Sequence, residues 1–530
     1  MILYQVMLVA ALALPAVGAG VLALFPARLD RTARLTATAF AAATLIPIVV
    51  LPFAPGRGVW IGRVNALTTV PTAGSATPPV QPWAEIDVSW VPALHLDFHL
   101  GVDGVSYPLV ALTGLLTLLC CAYTMWKVPS PSPGFSAPSE APGAGNGTAG
   151  SGRTLLGLLL ILEAGILGTF LALDLVLFFL FFEVVLLPMY AVIAGWGGDD
   201  RRRAARKFVL YTLFGSVLLL LGVITVATKA GTGDLVALSS GGGLSKSTQY
   251  WAFGLFAVAF AVKAPLWPLH TWLPDAHTQA PTVGSVILAG VLLKMGTYGL
   301  IRVGVGVAPL GAQWASPVLG ILAAAAILAG ALICLRQTEL KRLIAYSSVG
   351  HMGFVLLGIA TLTATGIEAA LIGNVAHGLI TGLLFFLAGA IKDRAHTGDL
   401  ADLGGLRETA PRLAGVLGFA AIASLGLPGL AGFWGEAFAV VAAVERGGGL
   451  WVTLAVLAAV GGALTAAYFL RLLRKVTHGP AAAPVPPAIA GAEWFAWAPL
   501  VLLTLAVGLV PALVLAATSG PVAALTGVVR

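Results

Sequence analysis

The chain has 530 residues, 58% of them hydrophobic and 10% charged, with a mean hydropathy of +0.96 and a formal net charge of +7. A water-soluble domain carries about a quarter charged residues, so this composition excludes one and points to a polytopic membrane protein. The three cysteines, Cys120, Cys121 and Cys334, lie in apolar stretches without metal-ligand or disulfide spacing, and no Walker or dinucleotide-binding loop occurs, which argues against metal, iron–sulfur and nucleotide chemistry in this chain.

Each crossing needs about 20 apolar residues of helix, and a backbone surrounded by lipid must satisfy its own hydrogen bonds, so the expected fold is all-α. Fourteen segments can be drawn, at about 3–25, 32–53, 105–126, 154–173, 175–195, 207–228, 251–275, 282–303, 314–335, 342–362, 366–390, 413–444, 451–473 and 494–518. The first has too long an apolar run, and no basic leader, for a cleaved signal peptide, and is read as an uncleaved span. Residues 54–104 mix prolines with the alternating run Ile86-Asp87-Val88-Ser89-Trp90, the pattern of a short extracytoplasmic hairpin. Pro129 to Gly152, rich in Pro, Ser, Gly and Ala, reads as a loosely packed insertion. With the N-terminus outside, the odd-numbered loops hold 20 of the 29 Lys and Arg, the even loops and termini seven, Arg302 at the end of span 8 being counted with these, and the apolar spans the remaining Lys263 and Lys294. That bias places both termini outside the cytoplasm and makes the net charge a topology signal, with no nucleic-acid partner implied.

The chemistry is expected where charge sits inside apolar helix. A lipid-facing charge at mid-membrane costs roughly 2.5–3.5 kcal/mol or more, yet Lys263, Lys294, Glu183 and Glu436 all lie within predicted spans. Lys263 directly precedes Pro265 and Pro268, and Glu436 follows Leu427-Pro428-Gly429, so spans 7 and 12 are each expected to be discontinuous beside an ionisable group. Paired breaks of this kind point to an inverted-repeat transporter and its ion path. Glu183 is the candidate partner of Lys263, Lys294 the next proton acceptor and Glu436 the group on the exit side. His270, His351 and His377, with Ser347, Ser348 and Thr381, could organise water between them. Each feature also has a plainer reading. A buried ion pair can simply fix helix register, and a membrane histidine can be a helix–helix hydrogen-bond donor. Glu163 is either a second carboxylate near Glu183 or a packing residue of span 4, and Asp103 and Asp174 fall at span ends, where capping suffices.

Two stretches carry a family resemblance. Ala261 to Ser285, AVKAPLWPLHTWLPDAHTQAPTVGS, and Lys341 to Phe354, KRLIAYSSVGHMGF, resemble the seventh-helix and tenth-helix motifs of the antiporter-like subunits of respiratory complex I. A glutamate at position 436, where related subunits carry lysine, and the segment His99 to Ser106 are similar to the subunit M branch of that family. The resemblance implies 14 helices with two inverted five-helix repeats, spans 4–8 within 153–305 and spans 9–13 within 306–478, preceded by 1–152 and followed by a last helix in 479–530. It implies proton translocation across the bacterial plasma membrane, coupled to NADH:quinone electron transfer. NADH, FMN, iron–sulfur clusters and quinone would be held by partner membrane and peripheral subunits, with no cofactor or metal in this chain. By matching position, Glu183 and Lys263 would be a switchable pair, Lys294 the central relay and Glu436 the terminal carrier. A subunit of a multisubunit Na+/H+ antiporter and a purely structural membrane scaffold are the competing readings.

Overall fold

A computed structural model describes residues 2–26, 29–54, 80–91, 96–129, 151–239, 242–480, 489 and 491–529. Most of the low-complexity insertion and of the 54–104 loop therefore lies outside the described residues.

The chain begins with two antiparallel neighbours, α1 (Ile2–Leu24) and α2 (Asp30–Val50), then the hairpin β1 (Ala84–Val91) and β2 (Leu96–Val102), then α3 (Tyr107–Thr124) and α4 (Ser151–Leu171). The next stretch runs α5 (Leu175–Val184), α6 (Leu186–Trp196), α7 (Arg201–Ala230), the single turn α8 (Leu235–Leu238), α9 (Lys246–Lys263) and α10 (Trp272–Gln279). Span 8 is built from α11 (Thr282–Ile287), a π-helical stretch at Leu288–Leu292, α12 (Lys294–Gly299) and a second π-helical stretch at Leu300–Val305. The remaining helices are α13 (Pro309–Cys334), α14 (Leu340–Thr361), α15 (Ala364–Ala395), the short α16 (Leu406–Thr409), α17 (Pro411–Ser424), α18 (Ala431–Arg446), α19 (Gly448–Thr477), α20 (Gly491–Leu509) and α21 (Ala512–Val529).

Among the described residues, eleven helices are long and apolar enough to cross a bilayer, or twelve if the bent pair 493–509 and 512–528 counts as one. Helix covers all the segments drawn from the sequence, but the stretches 251–275 and 413–444 are split where the prolines fall, so neither is a single long helix. Burial is uneven. Span 8, α14 and α15 are almost wholly enclosed by protein, whereas α1, α2, α7 and α19 present apolar faces outward. The helices that carry Lys294, His351 and His377 are therefore those shielded from lipid.

Two connector pairs share one design, carried by a tetrapeptide that occurs twice, Thr-Gly-Asp-Leu at 232–235 and at 397–400. In the first, Leu175 N–H donates to Gly233 O at 2.8 Å and Leu235 N–H to Leu173 O at 2.7 Å. In the second, Leu340 N–H donates to Gly398 O at 2.9 Å and Leu400 N–H to Thr338 O at 2.6 Å. Each connector also begins a helix with a carboxylate cap. Asp174 accepts from Val176 and Leu177 at the start of α5, and Glu339 accepts from Arg342 at the start of α14.

The hairpin docks on the first of these connectors. His99 O accepts from Leu173 N at 2.9 Å, and the His99 imidazole lies between Asp234 (Nδ1–Oδ1 3.2 Å) and Glu85 (Nε2–Oε2 3.7 Å). Burial alone would lower the pKa of His99, but the Asp234 hydrogen bond and the charges of Asp234, Asp87 and Glu85 overcome it and raise the pKa above its ordinary 6.5. Asp234 is held correspondingly low. Its own burial acts to raise it, and the His99 hydrogen bond and the Val236 amide outweigh that burial.

Candidate functional site

The site begins at Glu183, near the C-terminal end of α5 and half-buried. It does not pair with Lys263. Ser216, on α7, donates its hydroxyl to the Glu183 carboxylate. Lys263 points its ammonium at the face of Phe182, with Nζ 4.7 Å from the ring centroid. The expected pair is thus separated in this structure, each member held by an alternative partner. Gly215, beside Ser216, lets α7 approach α9, since a Cβ there would stand 3.2 Å from Ala259 O.

Lys263 is the last residue of α9 because the prolines just beyond it cannot continue the helix. The break leaves carbonyls without intrahelical donors. Trp272 Nε1–H satisfies one of them, Val262 O, at 3.0 Å from the far side of the interruption.

Lys294 opens α12 between the two π-helical stretches and is fully buried. Its Nζ donates to Ala289 O and stands 2.6 Å from His377 Nδ1. Thr297 donates to Asn374 Oδ1 at 2.9 Å, a second polar link between α12 and α15. From His377 the line continues to His351 on α14, the ring centroids lying 5.9 Å apart. His351 Nδ1 stands 2.6 Å from Glu436 Oε1, and its Nε2 stands 3.0 Å from Ser424 Oγ. A cavity of about 20 Å³, lined by His351, His377, Thr381, Ser424 and Glu436 among others, opens beside the two rings and has room for a water.

Glu436 lies on α18, after the interruption at 425–430. Two glycines make room for it. Gly426 has φ +69 and passes close to Glu436 Oε2, while Gly435 packs directly on Gly373 of α15, where a Cβ would come within 2.6 Å of Gly373 Cα.

The structure brings together Lys294, His377, His351 and Glu436. It sets His270 apart: that ring lies against Tyr346, centroids 6.2 Å apart, and makes no hydrogen bond with Lys263, Lys294 or Glu436. Ser347 and Ser348 return their hydroxyls to Ile344 O of their own helix. Glu163 is fully buried and neither carboxyl oxygen has a hydrogen-bond partner. Arg302, counted from sequence as a loop charge, is instead buried in the second π-helical stretch and paired with Asp103. Asp103 also accepts from the Val105 and Ser106 amides, as a capping residue would. Sequence reading missed Ser216 and Ser424, because serine is common in membrane helices and leaves no hydropathy signal.

Comparison with known proteins bears on the family and the fold. A family model described as "NADH:quinone oxidoreductase/Mrp antiporter, TM" matches residues 172–462. NADH-quinone oxidoreductase subunit M of Rhodobacter capsulatus is 41% identical over 443 residues, 81% of this chain and 81% of that one. A chain of respiratory complex I from Thermus thermophilus superposes with a TM-score of 0.83 at 29% identity, covering 99% of this chain and 100% of its own. A chain of the Mrp complex from Dietzia sp. superposes with a TM-score of 0.81 at 22% identity, covering 100% and 99%, a likeness of fold alone. With a family match over more than half its length and a relative this similar across four-fifths of it, the chain belongs to the NADH:quinone oxidoreductase/Mrp antiporter transmembrane family.

Proposed function

We propose that this chain is the subunit M type of proton-translocating membrane subunit in a bacterial NADH:quinone oxidoreductase. Electron transfer from NADH through FMN and iron–sulfur clusters to quinone belongs, on this reading, to partner subunits, and this chain moves protons. The observation that carries the reading is the line from buried Lys294 through His377 and His351 to half-buried Glu436, in which the groups at each end are 2.6 Å apart and the two histidines and Glu436 line a water-sized cavity. Groups of this kind at mid-membrane, facing the protein interior, are the ordinary material of proton relays.

Lys294 would pass a proton to His377, which lies within hydrogen-bond reach, and Glu436 would receive it at the other end. Lys263 and Glu183 would act upstream as a switch. With Glu183 on Ser216 the lysine has no direct ion-pair contact, and with Glu183 on Lys263 the ammonium is stabilised more strongly. We further propose that 153–305 and 306–478 are inverted repeats, the discontinuous spans being 7 and 12, and that both termini are extracytoplasmic. The twice-used Thr-Gly-Asp-Leu connector supports the repeats, and the 20-to-seven distribution of Lys and Arg supports the orientation. The Na+/H+ antiporter reading has behind it the shared family description and a fold likeness at 22% identity.

The test is NADH-driven proton pumping in membranes carrying Glu183→Ala or Lys263→Ala, normalised to the amount of assembled complex. Loss of pumping together with NADH:quinone turnover supports the assignment. Normal pumping overturns it, and failure of the complex to assemble would favour the scaffold reading.

A further inference from the structure

We propose that the Ser424 hydroxyl is the port through which a proton enters His351, so that each transfer through this imidazole arrives at Nε2 and leaves from Nδ1. This rests on the proton-carrying role of the Lys294-to-Glu436 line proposed above.

Both nitrogens of His351 are committed. Nδ1 faces Glu436 Oε1 at 2.6 Å and Nε2 faces Ser424 Oγ at 3.0 Å. His377 therefore has no free nitrogen of His351 to address directly. His377 is itself held at Nδ1 by Lys294, and its Nε2, buried, has no hydrogen-bond partner. Both rings and Ser424 line the same water-sized cavity. A water there would find two partners it needs, the orphan Nε2 of His377 and the hydroxyl of Ser424.

The placement of Ser424 fits the role. Serine inside a helix usually returns its hydroxyl to a carbonyl one turn back, as Ser347 and Ser348 do. Ser424 is the last residue of α17, where the helix stops before the interruption at 425–430, and its hydroxyl meets a side chain of another helix. A hydroxyl both donates and accepts, so it can take one proton and give up another without a net change.

Protons are conserved along the line. Lys294 gives a proton to His377 Nδ1. His377 gives its Nε2 proton to the cavity water, and the water gives one of its own to Ser424 Oγ. The original hydroxyl proton of Ser424 moves to His351 Nε2 as the Nδ1 proton of His351 moves to Glu436. One proton has left Lys294 and one has arrived at Glu436, with water and serine unchanged. The pass leaves each imidazole in its other tautomer, protonated at Nδ1 in His377 and at Nε2 in His351. Before the next transfer each ring gives up that proton to water and takes one at its opposite nitrogen, with no net change.

The experiment measures NADH-driven pumping per assembled complex, in H2O and in D2O, for Ser424→Ala, Ser424→Thr and Lys294→Ala. Ser424→Ala is expected to slow coupled turnover by about a hundredfold, the lower end of the range for loss of a proton-transfer group, and to enlarge the solvent isotope effect. Ser424→Thr, which keeps a hydroxyl, is expected to restore most of the rate. Wild-type turnover in Ser424→Ala, equal slowing in alanine and threonine variants, or slowing without a change in isotope effect would each overturn the assignment. Should the alanine variant not assemble, Ser424→Cys, with nearly the same shape and a weak donor, decides in the same way. Lys294→Ala keeps the two levels apart. If it pumps normally the relay itself is wrong, and if it is inactive while Ser424→Ala is not, only the serine port falls.

Discussion

Arg302 and Asp103, 199 positions apart in the chain, form a buried ion pair with Nη2 at 2.6 and 2.5 Å from the two carboxyl oxygens. The pair ties the start of α3 to the end of span 8, and Tyr298 OH accepts from Arg302 Nε at 3.3 Å beside it. Removing one partner of such a pair strands the other charge. Asp103→Asn, which keeps an oxygen for the Val105 and Ser106 amides, is therefore expected to cost about 3–5 kcal/mol, and the added change Arg302→Met to recover most of that loss. Thermal dissociation of the purified complex checks both.

The docking of the hairpin should depend on pH. His99 has a raised pKa, so its contribution is complete below about pH 6.5 and is lost as pH rises through the higher folded value. Asp234 has a lowered pKa, so its contribution is complete above about pH 3.8 and is lost as pH falls through the lower folded value. The latch is thus tightest from about pH 4 to about 6.5. Amide exchange in strand 96–102 is expected to speed up as pH rises above that window, beyond its intrinsic dependence, and His99→Gln to flatten the change.

Ser216 holds Glu183 away from Lys263. Loss of a hydrogen bond to a charged group, about 1.5 kcal/mol or roughly tenfold in an equilibrium, should shift the switch towards the paired state. Ser216→Ala is expected to slow coupled turnover several-fold, with Ser216→Thr close to wild type, measured as pumping per assembled complex.

Gly435 offers a test that changes no charge. A side chain there must push α18 away from Gly373, carrying Glu436 with it. Gly435→Val is expected to destabilise the assembly by about 1–3 kcal/mol and to depress pumping more than the stability loss explains, because the contact with His351 opens.

Glu163 is expected to behave differently. A buried carboxyl without partners is costly to keep, so Glu163→Leu should leave stability unchanged or raise it by about 1 kcal/mol. Pumping at the wild-type rate would make it a packing residue, and a loss would place it on the proton path.

The ionisable groups were legible because a charge inside an apolar run is its own signal. Lys263, Lys294, Glu183 and Glu436 stand out from their neighbours, and the prolines beside two of them mark the interruptions that the structure contains. What those groups touch was not legible. Whether Glu183 faces Lys263 or Ser216 depends on side-chain rotation and on the approach of α7 to α9, which Gly215 permits but does not announce. Arg302 was misjudged because a charge near the end of a hydrophobic segment looks like a loop residue, and its partner lies far off in sequence. The repeated Thr-Gly-Asp-Leu was in plain view, but four residues are too few to distinguish from chance until their hydrogen bonds are seen to match.

Span 8 depends on how it winds as well as on which residues it carries. Its π-helical stretches flank Lys294, and each widens the helix by about one residue relative to α-helical winding. Were the first stretch to wind as α-helix with its number of residues unchanged, the C-terminal part of the span would turn by about 100° relative to its N-terminal part. Lys294 would still be present, and so would His377, but they would no longer face one another. Part of the wiring of this protein is thus written in the winding of an apolar segment, where no charged residue records it.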